Sequence, residues 1–116
     1  MPVTPTASVA PTVAGTNTAS VLSIQSINPF TAQANTTLNV TIIGTGFQNG
    51  AVVSLEGGQG LPQIVTAVQF NNPTTLVATI NTQNDTGGPQ VWDVRVTNPN
   101  NSTAVLQDAF TVTIAP

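Results

Sequence analysis

Asp93 and Arg95 stand two residues apart in VWDVRVT. On an extended strand, side chains at i and i+2 leave the same face, so the two charges can meet as a surface ion pair. Such a pair contributes about 0–1 kcal/mol, and the pattern suits a solvated pair or a polar anchor in a subunit contact. Asp85 lies in NTQNDTGG, a stretch rich in oxygen-bearing side chains, and is the one candidate calcium ligand. Calcium takes about 6–8 oxygens, usually with several carboxylates. A single carboxylate falls short of that set, and Asn and Asp also close turns by bonding their own backbone. Trp92 is the sole tryptophan and the residue best suited to stack a sugar. It shares parity with Val94 and Val96, however, which points the indole inward. The four Phe residues likewise fall at strand or turn positions that suit burial. Sequons at Asn35, Asn39, Asn84, Asn100 and Asn101 mark exposed loops if the protein is secreted.

The remaining charges are Glu56 and Asp108, giving a net charge of -3 over 116 residues. There is no Lys, His, Cys or Tyr. No base is present to activate a Ser or Thr, no thiol to attack, no disulfide to form and no zinc set of the usual kind. The expectation is a protein that is not an enzyme and carries no cofactor or metal. One Arg cannot neutralise a run of phosphates, which argues against nucleic acid as a partner. No stretch approaches the roughly 18 apolar residues of a membrane span, so membrane insertion is not expected either.

The elements that position these residues are strands. The polar part of the chain is largely uncharged, with 20 Thr and 12 Asn, and β-branched Thr suits a pleated, half-exposed surface. A first strand runs from Leu22 to Ile27 and stops at Asn28-Pro29. Leu38, Val40 and Ile42 then alternate with Asn39 and Thr41, the period of a half-buried strand. Val53 and Leu55 mark a third strand, ended by Glu56-Gly57-Gly58. A fourth spans Ile64 to Phe70. Leu76, Ala78 and Ile80 alternate in a fifth, Trp92, Val94 and Val96 in a sixth, and Leu106, Phe110, Val112 and Ile114 mark the last. Turn signals every 8–12 residues or so between about seven strands indicate an all-β, Ig-like sandwich. Its expected core is Leu38, Val40, Ile42, Phe47, Trp92, Val94, Val96 and Phe110.

The succession IQSINP, VTIIGTGFQNG, LVATI, VWDVRVTNPNN and AFTV resembles the TIG (or IPT) family of Ig-like domains. The likeness covers residues 21–115 or so, and Gly44-Thr45-Gly46-Phe47 is its closest motif. The two glycines are expected to let the backbone turn sharply while Phe47 plugs the end of the sandwich. Some relatives of this type bind DNA, a role that the charge of this chain disfavours.

Residues 1–20 differ from the rest. Pro2, Pro5 and Pro11 exclude helix and central strand, and the segment reads as an extended, uncharged arm with Val3, Val9 and Val13 as its contacts, ahead of a domain over 21–116. It lacks the basic start and apolar run of a secretory signal. Met1 is either a native start or a residue placed before a mature secreted domain. The near absence of charge suits a surface that packs against copies of itself or a lattice. The expected role is structural: a subunit that decorates or cements an ordered assembly, foremost a phage capsid, with copies of itself, a major capsid protein or both as partners and the virion surface as location. The alternatives are an extracellular filament or surface-layer subunit joined by N-terminal strand exchange, and a cell-surface module that binds carbohydrate or protein.

Overall fold

Alternating apolar and polar residues give eight strands in the computed structural model, which describes residues 21–114. They are β1 (Ser23–Asn28), β2 (Thr31–Gln33), β3 (Thr37–Thr45), β4 (Val52–Glu56), β5 (Ile64–Asn72), β6 (Thr75–Asn81), β7 (Gln90–Thr97) and β8 (Thr103–Thr113). The expected count of about seven differs by β2, a three-residue strand that follows Asn28-Pro29 and pairs in parallel with β8. The arm with Val3, Val9 and Val13 lies outside the described residues.

The strands form two four-stranded sheets, ordered β1-β3-β6-β5 and β2-β8-β7-β4. Every neighbouring pair except β2–β8 is antiparallel. Each sheet turns one set of alternate side chains inward, and the two sets form one interior, as in a β-sandwich. Val40 and Ile42 of β3 and Leu76, Ala78 and Ile80 of β6 meet Val53 and Leu55 of β4, Trp92, Val94 and Val96 of β7, and Phe110 and Val112 of β8. Phe47 is buried with them, and Leu38 is half-buried at the rim of the cluster, one residue into β3 and just past the Ala34–Asn35 turn. Phe30 departs from the expected burial of the phenylalanines: it is 62% exposed. It sits on the link between the sheets, where its carbonyl accepts the Thr111 N–H but none of the described residues forms a layer over its ring.

The GTGF segment is held from two sides. Gly46 is left-handed (φ 72°), as a sharp turn requires. Gly44 is different: it lies inside β3, and its role is to leave space against β1. The Phe47 N–H donates to the Pro73 carbonyl, which fixes the plug at this end of the sandwich.

Candidate interaction surfaces

Strand register decides where each charge goes. Glu56 is opposite Asp93 and Ser54 is opposite Arg95 on the β4–β7 pair, all on the outward parity. The expected Asp93–Arg95 pair is not formed. The Arg95 Nε instead donates to Glu56 Oε2 at 2.9 Å across the sheet, and Asp93 Oδ1 accepts the backbone N–H of Asp108 at 2.8 Å. The reason is local. The β7–β8 register shifts between Trp92 and Val94, and Asp108 takes a left-handed conformation (φ 53°) in the opposing strand, which brings its N–H to Asp93. Glu56, Asp93, Arg95 and Asp108 thus share the outer face of one sheet. Both partners of the ion pair are about a third or more exposed, so the pair adds little stability.

The outer face of the other sheet carries no charge at all: no residue of β1, β3, β5 or β6 is ionisable. Its rows are Thr and Asn, tied across strands. Thr79 Oγ1 donates to Asn39 Oδ1 at 2.8 Å, and Thr37 Oγ1 to Asn81 Oδ1 at 2.6 Å. The sheet ends in β5, which pairs with β6 on one side and with nothing among the described residues on the other. Ile64 opens this edge strand 45% exposed, close in sequence to an exposed Leu61.

Asp85, the candidate calcium ligand, spends its Oδ1 on the Leu61 N–H at 3.2 Å. No group of three or more His, Cys, Asp or Glu gathers anywhere among the described residues. Around it, side-chain amides knit the loops together. The Gln63 Nε2 donates to the Gln83 carbonyl and its Oε1 accepts the Gln83 N–H, while Gln59 N–H donates to Gln90 Oε1. Of the sequon residues, Asn84 has its Nδ2 bonded to the Gly88 and Val112 carbonyls. Asn100 closes a turn by accepting from the Ser102 N–H and hydroxyl. Asn35 and Asn101 are left-handed and exposed, and Asn39 stands on the uncharged face. No helix among the described residues is long and apolar enough to cross a membrane.

Asn98 lies in the β7–β8 turn, where its N–H donates to the Ser102 carbonyl, yet it is only 3% exposed. Its Nδ2 donates to the Gly46 carbonyl at 2.8 Å, and its Oδ1 accepts the Gln48 N–H at 3.1 Å. One amide therefore fastens the β7–β8 turn to the GTGF loop. Asn98→Ala leaves both backbone groups without their partner. The expected cost is about 2 kcal/mol, read as a lower denaturation midpoint with an unchanged slope. A loss under 0.5 kcal/mol or so would show that the loop holds without it.

Compared with protein-family models and with curated protein sequences, the chain matches none.

Proposed function

We propose that this protein is a non-enzymatic structural subunit, an Ig-like domain of TIG type that decorates or cements an ordered assembly, with a phage capsid surface as its setting. One observation carries the reading: four of the charges share one sheet face, while the opposite sheet is uncharged and ends in a nine-residue strand with no outer partner among the described residues. Freely soluble domains keep charges of both signs dispersed and guard their edges with Lys, Pro or other charges. This partition suits a subunit with one side to water and one side to a neighbour. The Ig-like reading is supported by the strand orders β1-β3-β6-β5 and β2-β8-β7-β4, with the N-terminal strands divided between the sheets. The TIG likeness rests on the motifs given above. A sugar-binding role would fall to the exposed ring of Phe30, because Trp92, the larger platform, is buried.

The β5 edge, unpaired among the described residues, also favours a second reading, an extracellular filament or surface-layer subunit that polymerises by strand addition. Imaging the purified full chain alone and with undecorated capsid shells separates the two. A decoration protein is expected to form closed clusters at symmetric positions on the shells. A helical polymer of the chain alone selects the filament. A monomer at every concentration that leaves shells bare overturns both.

A further inference from the structure

We propose that the open edge of β5 receives residues 12–20 of a second copy as an added strand, a contact that rests on the reading of the protein as an assembling subunit. Among the described residues the sandwich has four terminal strands, and they differ in what they offer. β2 has three residues. β4 has five, with Glu56 and its ion pair to Arg95 at one end. β1 has six, broken by a register shift between Ile24 and Ser26. β5 has nine, with no charge and no proline. Two bulges bracket a regular stretch from Ala67 to Phe70. An edge this long, without a guarding charge, is a template for another strand.

The occupant follows from the sequence and from where the described chain begins. Residues 12–20, TVAGTNTAS, are nine residues free of proline and charge, bounded by Pro11. Proline cannot donate to a ladder, so a donated strand ends there. The same copy cannot lay the whole of this segment along its own β5. Its Val21 carbonyl accepts from Thr45 Oγ1, beside β1, and β1 and β5 are opposite ends of the sheet. Three interstrand spacings of ~4.8 Å make about 14 Å. An extended chain advances ~3.3 Å per residue, so at least four residues or so are consumed in crossing. Asn17 to Ser20 can therefore reach β5 only from another molecule. Strand addition extends the uncharged sheet by one strand of Thr, Asn and small residues, and its backbone hydrogen bonds supply the attachment.

The chain has no cysteine, so introduced thiols report this contact without background. One full-length chain carries Gln69→Cys in the regular stretch of β5. A second, differently tagged, carries Thr16→Cys, Asn17→Cys or Thr18→Cys. Disulfides form when Cα atoms lie about 4.4–6.8 Å apart, and successive side chains of a strand point to opposite faces. The expected result is mixed disulfide dimers whose yield alternates about five-fold between Asn17→Cys and its two neighbours. Linkage to Ser54→Cys on β4 or Thr41→Cys on the open face is expected to be about ten-fold lower. Equal yields at the three arm positions, preferred linkage to Ser54→Cys or Thr41→Cys, or no linkage in a chain that sedimentation shows to self-associate overturns the strand assignment alone. A chain that neither self-associates nor binds shells overturns the subunit reading and this contact with it. Ala67→Lys combined with Gln69→Lys gives an independent check. Both sites are exposed, so the melting temperature is expected to hold while self-association is lost. Retained self-association contradicts the proposal.

Discussion

Gly44→Ala is expected to lower stability by about 3 kcal/mol, the upper part of the range for overpacking. A Cβ at this position would stand 2.0 Å from the Ser23 carbonyl oxygen, 3.0 Å from its carbon and 2.8 Å from Phe47 Cζ. Neither neighbour can yield cheaply. The Ser23 carbonyl belongs to β1, whose Ser23 and Ile24 are registered against Thr45 and Gly44. Phe47 is buried at the end of the interior. A methyl group must therefore part β1 from β3 or expel the ring. Gly46→Ala provides the contrast. Its burden is the left-handed φ of 72°, which costs an L-residue about 1 kcal/mol. Denaturant melts of the two variants are expected to rank Gly44→Ala well below Gly46→Ala. Equal losses would mean that the close approach between β1 and β3 relaxes freely.

The GTGF motif was legible as a structural feature, but the distinct task of its first glycine was not. That task depends on β1 lying against β3, a pairing between segments about twenty residues apart that no local pattern encodes. The same limit explains β2. TAQ is too short for alternation to show, and it is ordered by pairing with Thr111 to Thr113 some eighty residues later. Strands β3, β6 and β7 are readable because their apolar residues alternate over five or more residues and each buries a full face. The charges show the boundary between local and global information. Period 2 places Asp93 and Arg95 on one face, as the structure has them. Their true partners, Asp108 and Glu56, depend on which strands neighbour β7 and on a bulge in β8. The segregation of charge, which carries the functional proposal, becomes visible only with strand order. Asn98 was hidden for a related reason: a turn-forming Asn and a buried amide that joins two loops look alike in sequence.

Trp92→Ala is expected to cost about 3–5 kcal/mol, a large share of the ~5–15 kcal/mol that holds a domain folded. The indole is 4% exposed within the interior cluster. Its outer side is roofed by backbone: a Cβ on Gly58 would fall 2.3 Å from Cε2, 2.5 Å from Cδ2 and 2.7 Å from Cζ2. Gly58 of the loop after β4 thus rests on the ring with no space between them. Truncation to Ala removes the largest interior side chain and the seat of that loop together, and the strands on either side cannot close the gap. The indole Nε1 is buried without a hydrogen-bond partner among the described residues, so part of what burial contributes is offset by that unmet donor. Trp92→Phe deletes that donor while keeping an aromatic plate beneath Gly58. It is therefore expected to retain most of the stability, with a loss of about 1–2 kcal/mol. Because Trp92 is the sole tryptophan, far-ultraviolet circular dichroism is the probe that compares all three proteins. In the native chain, Trp92 emission is expected to be blue-shifted and weakly quenched by iodide. A loss under 1 kcal/mol or so for Trp92→Ala, or emission typical of a solvated indole, would mean that the glycine loop lifts from the ring in solution. Trp92 would then stand open as the planar surface that a sugar ligand requires.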